Sequence, residues 1–108
     1  MAFKLAQTPT YKQKIIVEIP NENGRKDKSD FMAEYLRVDM DDIEELKRLP
    51  QKEVLERVLV GWSSLLDETG NDVPFNPVNR VALLKIPQAF EALVEGFWTS
   101  IFKAKEKN

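Results

Sequence analysis

Cysteine and histidine are both absent from this chain of 108 residues. Without cysteine no disulfide can form, and without either residue the usual ligands of zinc are missing. Serine–histidine and cysteine–histidine nucleophile pairs are excluded for the same reason. An enzyme would depend on carboxylates, lysine, tyrosine or serine alone, because the commonest general base is missing. We therefore expect a protein that is not an enzyme and that needs no metal ion and no other cofactor.

The chain also has little net charge and lacks a long apolar run. The chain has 16 lysines and arginines against 18 aspartates and glutamates, a net charge of −2. The basic groups at 25–28 and at 103–107 are not interleaved with aromatic side chains, so we expect no binding to nucleic acid. No run reaches the roughly 18 apolar residues of a membrane span, so no membrane partner is expected. The N-terminal segment lacks the apolar core of an export signal, which predicts a cytoplasmic location.

The length and the order of the sequence patterns predict one small α+β domain. We expect a flexible arm over residues 1–11, a β-hairpin over 12–38, helices over 39–102 and a charged tail over 103–108. The helical part is predicted to be a bundle of about four α-helices, so that the protein as a whole is mainly helical.

The hairpin prediction comes from β-branched residues and a turn signal. KQKIIVEI, residues 12–19, is typical of a strand, and Asn23-Gly24 is a strong signal for a hairpin turn. A two-residue turn at Asn23-Gly24 would place Ile16, rather than Ile15, opposite Phe31. That register would mix lysines into the apolar face, because a shift of one residue exchanges the two faces of a strand. We therefore predict a longer or bulged loop.

Caps and prolines indicate where the helices begin. Asp39 is a predicted N-cap, since carboxylates follow it in the first turn, where they complement the helix dipole. The apolar period of QKEVLERVLVGW predicts a second helix that ends near Gly61. Asn76 and Pro77 have the cap-and-proline pattern of a third helix start, and Pro87 begins the last helix.

The last helix is apolar around most of its circumference. Its polar residues form one narrow stripe at three- and four-residue spacing: Gln88, Glu91, Glu95 and Thr99. A surface helix normally buries a stripe of about 100°. Two interpretations remain: a central core helix, or a helix with one face on the core and another on a partner protein. In the second case the candidate partner-binding residues are Phe90, Leu93, Val94, Phe97, Trp98, Ile101 and Phe102.

Two acidic stretches resemble cation sites in charge only. A calcium loop needs a glycine at its sixth position and a glutamate at its twelfth. DMDDIEE, which starts at Asp39, has Glu44 at the sixth position and Pro50 at the twelfth. In DETGND, which starts at Asp67, the glycine is fourth, so Gly70 is better explained as a left-handed turn residue. We predict a helix start and a turn rather than two metal sites.

The order of several short patterns resembles a known family. A helix is followed by Gly61-Trp62, a turn from Asp67 to Gly70, an apolar step from Val73 to Phe75, the helix start at 76–77 and an aromatic-rich last helix. Residues 58–98 thereby resemble the C-terminal half of phage tail assembly chaperones. Residues 30–46 are similar to the strand and the acidic helix start of this family, and the whole resemblance extends over residues 12–102.

The resemblance implies a non-enzymatic function in the assembly of long flexible phage tails. Such chaperones bind the apolar, helical tape measure protein and keep it soluble while the major tail protein polymerises around it. The family implies a homo-oligomer in the host cell cytoplasm that is absent from the mature virion. Many members have a longer, frameshifted form whose extension recruits the major tail protein. Glu106-Lys107-Asn108 can be encoded GAA AAA AAC, which contains a sequence on which ribosomes slip back by one base.

Two other functions remain open from the sequence. One is a small structural component of the virion, such as a head–tail joining protein. The other is a transcriptional regulator with one helix in a DNA groove, which the near-neutral charge and the apolar helix faces argue against. Within the chaperone interpretation, we expect the last helix to bind partners and Trp62 and Phe75 to lie nearer the core. A partner anchor is the competing interpretation of Trp62.

Overall fold

A three-stranded antiparallel sheet and four helices make up the α+β fold of residues 1–102, the part of the chain that the structure, a computed structural model, describes. In chain order the elements are β1 (Thr10–Pro20), β2 (Lys26–Leu36), α1 (Met40–Leu46), α2 (Gln51–Val58), β3 (Leu59–Ser63), α3 (Pro77–Leu84) and α4 (Pro87–Ile101). The order of strands in the sheet is β1-β2-β3. The predicted charged tail and the frameshift signal at 106–108 lie outside the described residues.

The α+β class and the N-terminal hairpin are as predicted, but the prediction of a mainly helical bundle after the hairpin is wrong. The described residues are 37% helical and 28% strand, because a third strand interrupts the part that was predicted to be helical. The second helix ends at Val58 rather than near Gly61, and β3 begins at the next residue. Both conformations fit the local sequence, since LVGW continues the apolar period of the helix and is also rich in strand-forming residues.

Pairing with β2 explains why residues 59–63 form a strand. Trp62 lies opposite Ala33 and Ser63 opposite Met32, on the side of β2 that faces away from β1. This pairing satisfies backbone groups of β2 that burial would otherwise leave without hydrogen bonds. The conformation of β3 is therefore decided by a strand that lies far away in the sequence.

The β1–β2 hairpin has the predicted register. Ile15 lies opposite Phe31, and residues 21–25 form a loop between the strands instead of a tight two-residue turn. A hydrogen bond of 2.7 Å joins the N–H of the first loop residue to the carbonyl oxygen of the last. The prediction of a longer loop is confirmed. β1 begins at Thr10, so the last two residues assigned to the arm belong to the sheet.

The predicted helix starts are confirmed. The carboxylate of Asp39 accepts a hydrogen bond of 2.9 Å from the N–H of Asp42, as an N-cap of α1. The side chain of Asn76 accepts one of 2.8 Å from the N–H of Asn79, and Pro87 is the first residue of α4. Each cap satisfies a backbone donor that the helix itself leaves unpaired. These starts are predictable because a cap acts within one turn of the chain.

The core lies between one face of the sheet and the inner side of α4. Its most deeply buried residues are Ile15, Ala33, Tyr35, Ile43, Val54, Leu55, Val58, Leu59, Leu93 and Phe97. The Tyr35 hydroxyl donates to the carbonyl oxygen of Leu93 at 2.7 Å. A Cβ atom at Gly96 would lie 2.5 Å from Cδ1 of Ile15 and 3.3 Å from the Tyr35 hydroxyl. Because Gly96 has no side chain, α4 can lie close to β1. This close contact determines which side of α4 faces away from the sheet.

Candidate functional site

The apolar residues of α4 are divided between the core and the surface. Leu93 and Phe97 are fully buried in the core, and Ile101 is half-buried against it. The other four candidate residues form a row at four-residue spacing on the neighbouring side, here named the α4 ridge: Phe90, Val94, Trp98 and Phe102. The first three are half-buried and Phe102 is 41% exposed. Two of the seven candidates are thus inaccessible to a partner while the monomer stays folded.

The α4 ridge forms one wall of an open groove. At one end, a cavity of about 440 Å³ is lined by Lys47, Gln51, Trp98 and Phe102. At the other end, a cavity of about 600 Å³ is lined by Gln51, Lys52, Leu84, Lys85, Pro87, Phe90, Glu91 and Val94. Gln51 borders both cavities, which lie one after the other along the ridge and are here named together the α4 groove. Residues from α2 and from the ends of α1 and α3 form the wall opposite the ridge.

Contacts with neighbouring side chains hold the ridge aromatics in place. Trp98 donates from Nε1 to Oε1 of Gln51 at 2.8 Å. Its ring stacks on that of Phe102, with the centroids 6.5 Å apart and an angle of 5° between the planes. Nζ of Lys47 lies 5.5 Å from the centroid of the Phe102 ring, within the range of a cation–π contact. Because the indole N–H already has an acceptor, the exposed part of the ring is suited to an apolar partner.

The lining of the α4 groove is positively charged, unlike the chain as a whole. Lys47, Lys52 and Lys85 border the groove together with a single carboxylate, Glu91. This local excess of two positive charges contrasts with the net charge of −2 of the chain. The two ion pairs formed within residues 1–102 do not include a groove lysine. The three ammonium groups are therefore not neutralised by a carboxylate of the described chain.

Sequence reasoning found the ridge but missed the wall that faces it. Gln51 and Lys52 are the first two residues of α2, whereas Lys47 and Lys85 directly follow α1 and α3. All four are polar residue types that are common on a solvated surface. No local signal marks these four residues, because only tertiary packing brings the ends of α1 and α3 beside α4. The one available hint was Trp98, whose N–H needs an acceptor when the ring is partly buried.

Trp62 and Phe75 lie against the core, as predicted. Their rings meet edge to face with centroids 4.7 Å apart, and both pack on core residues. Nε1 of Trp62 donates to the carbonyl oxygen of Val73 at 2.8 Å. The two aromatic residues thus attach the segment after β3 to the body of the protein. Trp62 does not line the α4 groove.

The DETGND stretch is a self-contained turn. One carboxylate oxygen of Asp67 accepts hydrogen bonds from the hydroxyl of Thr69 at 2.7 Å, from its N–H at 2.9 Å and from the N–H of Asn71 at 3.0 Å. These donors, above all the Thr69 hydroxyl, lower the pKa of Asp67. Gly70 has a φ of +83°, which confirms the predicted left-handed turn residue. Within residues 1–102, no three carboxylates are grouped so that they could hold a metal ion.

Comparisons with protein-family models, with curated proteins and with solved structures found no match for this chain. The resemblance of residues 58–98 to tail assembly chaperones therefore depends on the short patterns quoted above. Among the helices of residues 1–102, none combines the length and the apolar character that crossing a membrane requires. The α4 groove remains the best-defined candidate site of the described chain.

Proposed function

We propose that the protein is a tail assembly chaperone that binds helical segments of a phage tape measure protein in the α4 groove. The observation that supports this most is the α4 ridge, a row of four apolar side chains, three half-buried and one exposed, that borders open cavities beside the core. Contiguous apolar surface of this kind is typical of a site for another protein. A chaperone for an aggregation-prone client needs such a surface and no catalytic group.

The dimensions of the ridge suit a helical client. From Phe90 to Phe102 the ridge extends over about 18 Å, or roughly three helical turns at 1.5 Å per residue. Helix-in-groove recognition uses apolar anchors at spacings of three and four residues on the bound helix, and the ridge presents its own side chains every four residues. One groove holds only a short segment, so a long client requires several copies of the chain. Self-association would supply them and would raise the overall affinity.

The remaining parts of the proposal come from the family resemblance. The chaperone acts as a homo-oligomer in the host cell cytoplasm and is absent from the mature virion. A longer, frameshifted form recruits the major tail protein to the bound tape measure protein. Finding the chain in purified virions would instead favour a structural head–tail joining or tail component.

Co-expression with the tape measure protein of the same phage tests the proposal. The unaltered chain is expected to keep that protein in the soluble fraction. Val94→Lys should abolish this effect, because it places a charge in the middle of the ridge that binding would have to desolvate. Val78→Lys is the matched control, since Val78 lies on α3, outside the groove, and is 77% exposed.

Both lysine variants are expected to fold, because a lysine stem can lie along apolar surface with its ammonium group in water. Thermal melting of both purified variants checks this. If Val94→Lys still keeps the client soluble, the α4 groove is not the client site. If the unaltered chain fails to do so, the chaperone function itself is wrong.

A further inference from the structure

We infer that the α4 groove selects helices whose apolar seam is bordered by carboxylates. This inference rests on the proposed function of the same groove and adds the charge of the partner. It starts from the three groove lysines, which lie beside the ridge. The partner is thus defined by its chemistry as an amphipathic helix with an apolar stripe and acidic flanks.

The positive charges are placed at both ends of the groove. Lys47 lies at the Phe102 end, and Lys52 and Lys85 border the wider cavity at the Phe90 end. Among residues 1–102, Glu91 is the only carboxylate in the lining of the two cavities. Since the chain as a whole has more acidic than basic residues, the positive lining is a local property of this site.

Apolar and charged contacts have different roles in such a site. The ridge can hold many apolar helices, because the hydrophobic effect is non-directional. Long lysine side chains at the rim can reach carboxylates on the flanks of a bound helix and draw an acidic helix towards the groove. A helix with basic flanks would instead meet like charges. The ridge therefore provides affinity, and the lysines provide specificity for acidic clients.

Three synthetic helical peptides test the inference. They share one leucine seam with spacings of three and four residues and differ only in the flanking residues, which are glutamate, glutamine or lysine. Binding is followed by the fluorescence anisotropy of the labelled peptides with the unaltered chain. The glutamate peptide is expected to bind roughly 5- to 10-fold more tightly than the glutamine peptide, and the lysine peptide more weakly still. This preference should shrink as salt is raised to about 0.5 M, because exposed charges are then screened.

A variant with altered charges in the groove provides the second test. Lys52→Glu combined with Lys85→Gln leaves one lysine against two glutamates in the lining. The glutamate at position 52 lies in the first turn of α2, where the helix dipole favours an acid. This variant should lose the preference for the glutamate peptide. Lys4→Glu, in the exposed arm away from the groove, should retain it.

Each outcome gives a decision. Equal binding of the three peptides, or no binding of any, overturns the inference. A preference that persists in the groove variant overturns it as well, because the groove lysines would then not be its cause. If the glutamate preference holds while the co-expressed client stays insoluble, the charge selection stands and the chaperone function fails.

Discussion

Two adjacent rows of residues on α4 have almost the same composition but differ in burial. Leu93 and Phe97 are fully buried against the sheet, whereas their sequence neighbours Val94 and Trp98 lie on the accessible ridge. Hydrophobicity does not distinguish the two rows, since both consist of aliphatic and aromatic residues. The difference is what packs on each row: β1 and β2 cover the inner one, and an open groove borders the outer one. An apolar helix face is therefore not by itself evidence of a core.

The largest expected effect compares two phenylalanines of the same helix. Phe97→Ala should lower the free energy of unfolding by about 3–5 kcal/mol, because it leaves a cavity in a packed core. Phe90→Ala on the ridge should lower it by only about 1 kcal/mol, since a half-buried side chain loses less apolar contact. Chemical denaturation of both variants measures the two changes.

Binding of the client should be weakened more by the ridge variant than by the core variant. Phe90→Ala is expected to weaken binding of the tape measure protein by a folded chaperone, while any folded fraction of Phe97→Ala should bind normally. Equal losses of stability in the two variants would remove the distinction between an inner row and an outer ridge.

A smaller effect sharpens the description of the inner row. Tyr35→Phe removes the buried hydrogen bond to the Leu93 carbonyl and should cost about 0.5–1.5 kcal/mol. Burial, with a smaller contribution from nearby Tyr11, raises the pKa of Tyr35 well above its usual range. The folded state therefore keeps the phenol neutral. Its contribution to stability is complete below the unfolded pKa of about 10 and is lost as the pH rises further.

Denaturation curves between pH 8 and pH 11 should consequently differ for the two proteins. The unaltered chain is expected to lose stability above about pH 10 more steeply than Tyr35→Phe, which lacks the buried phenol at position 35. Parallel curves for the two proteins would show that the hydroxyl is not held neutral by the core.

The smallest effect is expected outside both rows, in the turn at Asp67. Asp67→Ala removes the carboxylate that accepts from Thr69 and Asn71, so it should lower the melting temperature slightly at pH 7. Because the pKa of Asp67 is lowered by these bonds, their contribution is present above the unfolded value of about 3.9 and is lost as the pH falls through the folded value. The melting temperatures of the two proteins should therefore differ at pH 7 and approach each other at pH 2.5. A larger change than that of Phe90→Ala would mean that the turn, and not the ridge, supports the fold.

Local chemistry explains which parts of the structure were predictable. The caps at Asp39 and Asn76 act within a single turn, and the offset of the β1–β2 hairpin follows from keeping the lysines of β1 off the apolar face of β2. β3 was missed because its five residues fit a helix stripe as well as a strand. The lysines of the α4 groove were missed because nothing in their own helices sets them apart.

The sequence by itself therefore determined the helix starts, the hairpin register and the excess of apolar residues on α4. These features depend on interactions between residues that are close along the chain. The tertiary structure decided the conformation of residues 59–63 and the division of α4 into a buried row and the α4 ridge. Both decisions depend on partners distant in sequence: β2 needs a neighbour for its backbone groups, and Gly96 lets one side of α4 lie against β1 while the other side stays accessible.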